Sequence, residues 1–333
     1  MKQLVVGVVG AGRIGKLHIN NIKDFPNVRV KIVADPFADK LQDWFETSGV
    51  EKLVSDYNEI FEDEEVNVLF ICSPTDTHLE LIEKGVEHNM HVFCEKPISF
   101  SQEETRRVYD VVKNSNSKVQ IGFNRRFDAN FSKVKDYIND GSIGETQLIK
   151  ISSRDPEAPP MEYVERSGGL FFDMMIHDFD MARFLGGDIE EVYAQGAALI
   201  NPEITKYEDI DTAIVTLKFK NGAHGVIDNS RQAVYGYDQR AEAFGTKGQA
   251  VADNNTDTRV KLFTADLVKE DNPKYFFLER YNEAFIKETK QFFDAISNNQ
   301  EVSPSFEDGM KAQDLAFAAK KSLESNQPVR LDN

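Results

Sequence analysis

Near its start the chain reads Leu4-Val-Val-Gly-Val-Val-Gly10-Ala-Gly12-Arg-Ile-Gly15. A short apolar run leads straight into glycines spaced G-x-G-x-x-G, and a stretch of helical length follows from Ile14. Three such glycines alone are a weak signal. Their placement between a strand and a helix is what a dinucleotide-binding βαβ unit requires. Gly10 permits the turn, Gly12 lets the backbone approach a pyrophosphate, and Gly15 lets the helix pack on the strand. The helix start, at Arg13 and Ile14, offers free N–H groups and the positive end of a dipole. A second apolar strand over 28–34 ends in Asp35, and an acid about 20 residues past the glycines is placed to grip an adenosine ribose. A carboxylate there accepts from a 2′-hydroxyl and repels a 2′-phosphate. Residues 36–39 read Pro-Phe-Ala-Asp, with no arginine to receive such a phosphate, and Lys40 is the nearest base. The expected cofactor is therefore NAD.

The chain has 333 residues, enough for about two domains. Its net charge of −17 repels nucleic acid and anionic membranes, so neither is expected as a partner. No apolar run approaches the ~18–20 residues that span a bilayer. No basic and apolar leader precedes the first strand, which makes a cytoplasmic protein the expectation. Cys72 and Cys94 close two apolar runs and read as reduced core thiols rather than a disulfide. No Cys/His spacing suits zinc, and no metal is expected.

Over residues 1–122 apolar strands at 3–9, 28–34, 67–72, 90–94 and 118–122 alternate with stretches of helical length at 14–24, 37–47, 56–63, 76–88 and 101–114. Continuous Val/Ile/Leu/Phe strands between helices predict a parallel sheet covered on both faces, a Rossmann domain. Ligands of such sheets sit beyond the carboxyl ends of the strands. Those ends carry Ser73-Pro-Thr75-Asp-Thr-His78 and Glu95-Lys96-Pro97. After 122 the rhythm changes. Helices are expected at 128–139 and 169–185, and strands at 146–153, 190–198, 211–219, 223–230, 239–245 and 258–264. Asn221-Gly222 marks a hairpin, and helices at 279–297 and 306–324 close the chain. Residues 123–333 thus predict an α+β domain with a large, mostly antiparallel sheet, serving substrate binding and oligomerisation. Its C-terminal segment could pack back on the first domain. One face of a half-covered apolar sheet must be hidden, which points to a homo-oligomer.

Three segments could carry chemistry. Lys96, stiffened by Pro97, could place an ammonium against a developing alkoxide, or form a plain strand-end pair with Glu95. In Gly168-Gly169-Leu-Phe-Phe-Asp173-Met-Met-Ile-His177-Asp178-Phe-Asp180, a continuous helix sets Asp173 and His177 at i and i+4 on one face, with Asp180 on the same stripe. A carboxylate one turn from an imidazole suits a general base. A surface pair, or a divalent-metal site, are the alternatives. Tyr235-Gly-Tyr237-Asp-Gln-Arg240 ends a strand and could line a polyol pocket or simply pack. His18, His88, His91 and His224 lack partner signatures and read as structural or surface residues.

With these residues in hand, the chain resembles the glucose–fructose oxidoreductase / inositol dehydrogenase / MocA superfamily, and most closely its bacterial inositol 2-dehydrogenases. The matching segments are Val9-Gly-Ala-Gly-Arg-Ile-Gly15, Ser73-Pro-Thr-Asp-Thr-His78, Cys94-Glu-Lys-Pro97, Gly122-Phe-Asn-Arg-Arg-Phe127, Ser153-Arg-Asp-Pro156, Phe172-Asp-Met-Met-Ile-His-Asp-Phe-Asp180 and Gly236-Tyr-Asp-Gln-Arg240. The resemblance implies NAD-dependent oxidation of a cyclitol ring hydroxyl to the ketone, for myo-inositol the axial 2-hydroxyl, within inositol catabolism. It implies His177 as general base, Asp173 holding it, and Lys96 bonded to the reacting or adjacent oxygen. Gly10, Gly12, Arg13, Ile14, Gly15, Asp35, Ser73, Thr75, His78, Glu95 and Lys96 would hold the cofactor. Asn124, Arg126, Asp155, Asp173, His177 and Tyr235 would hold the substrate, with the choice between Arg125 and Arg126 open. A homotetramer is implied as well. Rival readings are the same chemistry on scyllo-inositol, D-chiro-inositol or an aldose, a non-catalytic NAD-sensing regulator, and a metal-dependent isomerase or hydrolase. The last would leave the glycine motif without a purpose.

Overall fold

The computed structural model describes residues 3–331, which form two compact units. Of the described residues, 3–124 and 285–313 make one, and 125–284 and 314–331 the other.

The first unit holds β1 (Leu4–Val9), α1 (Arg13–Ile22), β2 (Val28–Ala34), α2 (Gln42–Ser48), β3 (Lys52–Val54), α3 (Asn58–Phe61), β4 (Val68–Ile71), α4 (His78–Glu87), β5 (His91–Glu95), α5 (Gln102–Lys113) and β6 (Val119–Gly122). Its six strands are all parallel, in the order β3-β2-β1-β4-β5-β6. Every residue of β1 and β4 is buried, which is why these strands read as unbroken apolar runs. Phe70 and Phe93 stack with centroids 4.7 Å apart, and Phe292 and Phe293 join the same core. The strand order reverses between β1 and β4. The crevice beyond their carboxyl ends is therefore the switch point where open parallel sheets bind ligands. The short β3 escapes a reading by sequence pattern, since three residues give no period.

The second unit holds α6 (Ala129–Asn139), β7 (Thr146–Arg154), α7 (Met161–Ser167), α8 (Leu170–Asp173), α9 (Ile176–Gly186), β8 (Ile189–Ala197), β9 (Thr212–Phe219), β10 (His224–Ser230), β11 (Asp238–Gly245), β12 (Gly248–Ala252), β13 (Lys261–Phe263), β14 (Val268–Glu270) and β15 (Val329–Arg330). The long helices α10 (Phe277–Ser297) and α11 (Phe306–Ser325) supply residues to both units. A seven-stranded sheet runs β12-β11-β7-β10-β9-β8-β15, antiparallel except for β7 beside β10. Asn221-Gly222 does turn β9 into β10, with Gly222 at φ +89°. Alternation is plain in β9, where Ala213, Val215, Leu217 and Phe219 are buried and Ile214 faces out. The register puts Leu148, Ile214, Phe244 and Val251 on that outer face, and each is at least 40% exposed.

Three expectations fail. The strand expected at 258–264 is not in the large sheet: only Lys261–Phe263 is extended, paired with β14 in a two-stranded ribbon. The sheet's edge is instead β12, whose Gly-Gln-Ala-Val-Ala carries too little hydrophobic pattern to be seen. Tyr235-Gly236-Tyr237 leads into β11 rather than ending a strand. The third failure, in the helix expected over 169–185, bears on the chemistry.

Candidate active site

The first unit contributes the glycine loop. Gly10 has φ +95°, and a Cβ there would lie 2.7 Å from the Cys72 carbonyl. Gly15 is required by contact: its Cβ would stand 2.0 Å from the Gly10 oxygen. Gly12 faces open space instead, with no neighbouring atom within 4 Å of where a Cβ would stand. It also caps α1 without a side-chain bond. Two glycines close the turn and one leaves room, a fit to a pyrophosphate.

Asp35 stands just past the end of β2, and its carboxylate accepts from the backbone on both oxygens. Its Oδ2 accepts the Ala11 N–H at 2.8 Å and its Oδ1 the Phe37 N–H at 2.9 Å. The acid thus shapes the glycine loop while its remaining lone pairs can accept more.

At the ends of β4 and β5 the strand-end segments are tied together. His78 is buried; its Nδ1 lies 2.7 Å from the Pro97 oxygen and its Nε2 2.9 Å from the Ser73 oxygen. Burial pulls this imidazole below its ordinary range, against the two carbonyls that raise it. Ser73 Oγ and Thr77 Oγ1 are 2.6 Å apart, and Thr75 opens the turn between them. Glu95 pairs with fully buried His18, Oε1 to Nε2 at 2.7 Å. Gly122 makes room for that carboxylate, since a Cβ there would lie 3.0 Å from it. His18 is set among Phe70, Phe93 and Phe285. Its link to Glu95 spans 77 residues and has no local signature. Lys96, partly buried, sits beside a cis bond to Pro97. Cys72 and Cys94 are free thiols, held well above the ordinary range by burial.

Asp155, Asp173 and His177 belong to the second unit. The continuous helix that would set Asp173 and His177 one turn apart does not form. α8 ends at Asp173, the Met175 N–H reaches back five residues to the Leu170 oxygen, and α9 starts at Ile176. Asp173 therefore closes one helix and His177 opens the next. The carboxylate of Asp173 is gripped at both oxygens: Tyr163 donates to Oδ1 at 2.6 Å and Arg231 to Oδ2 at 3.0 Å. Asp155, in the same electrostatic neighbourhood as Arg231, Asp173, Arg125 and Asp178, is pushed up to about 6 by burial.

Neither arginine of the 124–127 turn stands alone. Arg125 bonds Asp178 at 2.6 Å and Ser153 at 3.0 Å, all of them buried. Arg126 meets Asp180 through Nε at 2.9 Å and an Nη at 2.5 Å. Asp180 is thus an ion-pair partner and not part of an Asp173–His177 stripe. Asn124 is buried at the start of that turn. Tyr235 has partners of its own: its hydroxyl bonds Asp238 at 2.6 Å and Arg154 at 3.0 Å, and Arg154 binds Asp228. Sequence pattern does not reveal Tyr163 and Arg231. The run Met161-Glu-Tyr-Val-Glu-Arg-Ser167 between Pro160 and Gly168 does carry a short-helix signal. Among the described residues no three His, Cys, Asp or Glu side chains gather as a metal-binding group, and no helix is long and apolar enough to cross a membrane.

Comparison with known proteins agrees with this division. Residues 4–123 match the oxidoreductase family with an NAD-binding Rossmann fold, and residues 131–251 the GFO/IDH/MocA C-terminal domain. The chain is 49% identical over 333 residues to the uncharacterized oxidoreductase YrbE of Bacillus subtilis, covering 100% of this chain and 98% of that one. It is 45% identical over 328 residues to the myo-inositol 2-dehydrogenase of Thermotoga maritima, covering 98% of each. Among solved structures, the scyllo-inositol dehydrogenase of Lactobacillus casei with bound NAD(H) and scyllo-inositol superposes with a TM-score of 0.92 at 31% identity, over 99% of each chain. This chain belongs to the GFO/IDH/MocA family of oxidoreductases, with an NAD-binding Rossmann domain at its N-terminal end.

Proposed function

We propose that the protein is an NAD-dependent inositol 2-dehydrogenase, with myo-inositol as substrate and the 2-keto cyclitol as product. The observation that carries this reading is 45% identity across the chain to an enzyme named for that reaction. When bound, NAD supplies the hydride acceptor. The chain's own residues manage the proton and the charge. His177 takes the proton of the reacting hydroxyl, Asp173 holds His177, and the Lys96 ammonium stabilises the oxygen as charge develops on it. Gly10, Gly12, Arg13, Ile14, Gly15 and Asp35 hold the pyrophosphate and ribose, with Ser73, Thr75, His78 and Glu95 shaping the strand ends beside them. Asn124, Arg126, Asp155 and Tyr235 complete the proposed contacts to the ring, with Arg126 acting from its pair with Asp180. The setting is cytoplasmic inositol catabolism by a homotetramer.

The test is reduction of NAD, followed by NADH absorbance, with myo-, scyllo- and D-chiro-inositol and common aldoses. Turnover on myo-inositol that disappears in His177→Ala is the expected result. Preference for another ring would move the substrate assignment and keep the chemistry. NAD binding by calorimetry without turnover on any ring would replace the enzyme with a sensor.

A further inference from the structure

The grip on Asp173 has parts that the reaction does not require in themselves. Tyr163 comes from α7, a seven-residue helix followed by Gly168 and Gly169 at φ +78° and +85°. Its side chain is half exposed, yet its hydroxyl donates to Asp173 Oδ1 at 2.6 Å. Arg231, 1% exposed, lies just beyond β10 and donates to Oδ2. A second Arg231 nitrogen lies 3.8 Å from Asp209, whose other oxygen accepts the Leu170 N–H at the start of α8. Arg231 thereby bridges both ends of the one-turn helix that carries Asp173. Two donors on opposite oxygens fix the plane of a carboxylate and draw off part of its charge.

We propose that Tyr163 and Arg231 are positioning residues that fix Asp173 and limit how strongly it stabilises protonated His177. The inference rests on Asp173 and His177 acting as proposed above. The charged and titratable groups around Asp173 come from several elements: Tyr163 of α7, Asp155 beyond β7, Asp209 ahead of β9 and Arg231 beyond β10. Burial and the charge of Asp173 hold the Tyr163 phenol far above its ordinary range, so it remains a donor at every working pH. Without it, Oδ1 can turn toward the imidazolium and favour it. A base that holds its proton more tightly needs a higher pH to act.

Tyr163→Phe keeps the ring and removes only the donor. In NAD-linked oxidation of myo-inositol the variant is expected to lose about tenfold in kcat, the scale of one hydrogen bond to a charged group. Its KM for NAD should stay unchanged, and the acid limb of its kcat/KM profile should move to higher pH. NMR titration of the His177 ring carbon, assigned with His177→Asn, reads the same upward shift without turnover. Asp173→Asn runs beside it. A wild-type rate and profile in Tyr163→Phe with an inactive Asp173→Asn overturns the positioning role alone. A slower Tyr163→Phe whose acid limb and His177 titration stay fixed overturns it too, leaving Tyr163 a mere packing residue. Full activity in Asp173→Asn overturns the site reading and this inference together.

Discussion

Asp155 lies one residue past the end of β7, and its fold-induced shift has a readable consequence. Burial raises it to about 6 from the ordinary 3.8, with Arg231 opposing and Asp173 adding to the rise. A carboxyl raised by folding favours the native state below its unfolded pKa, and that contribution is lost as pH climbs through the folded value. Asp155→Asn has no charge to bury. It should match the wild type near pH 4 and gain relative stability by pH 7, with a ceiling of about 3 kcal/mol for a shift of this size. Urea midpoints of both proteins at the two pH values test this, and a constant difference would refute it. Lys96, Asp173 and His177 are proposed at this scale because each sits in a short motif. Tyr163 and Arg231 are not. Arg231 is 58 residues from Asp173, and nothing in the local pattern of β10 announces the pair.

Among the elements, α8 and α9 show where local reasoning stops. A period of 3.6 residues fits the whole of 169–185, so one helix is the natural reading. The Met175 to Leu170 bond spends one more residue in the turn and resets the phase of everything after it. Gly169 starts this arrangement with φ +85° and ψ 177°, backbone that only glycine holds without strain. A Cβ there would also lie 2.8 Å from the Asp209 carboxylate that caps α8. Gly169→Ala should therefore destabilise by about 1–3 kcal/mol. It should also cost activity through Asp173, more than Tm alone accounts for. Thermal melts with kinetics below the transition check this, and an unaltered Tm would show that the turn relaxes freely. The opposite error, a strand read at 258–264 in place of β12, has the same origin. Hydrophobic pattern locates a strand, while pairing partners decide which sheet receives it.

For the molecule as a whole, the outer face of the seven-stranded sheet presents Leu148, Ile214, Phe244 and Val251 from four strands. Exposed apolar side chains gathered on one sheet face favour a covering partner. A second copy of the chain is the expected occupant. Light scattering on the wild type should give an oligomer, and Ile214→Lys with Phe244→Lys should reduce its mass. A monomeric wild type would end this reading. At −17 the chain offers no global attraction for the phosphates of a dinucleotide, so a local feature such as the α1 terminus is proposed to meet them.

The features readable from the order of residues alone are local and periodic. The glycine spacing after β1, the parallel-strand composition up to Gly122 and the Asn221-Gly222 hairpin all depend on neighbours within a few turns of chain. The remaining features join residues far apart in sequence and emerge with the packing. The His18–Glu95 pair, the His78 tie between two strand ends, the buried partners of Arg125 and Arg126, and the Tyr163–Asp173–Arg231 grip all bridge separate elements. A buried polar group must find a partner wherever the packing brings one, and no local period encodes which distant side chain that will be.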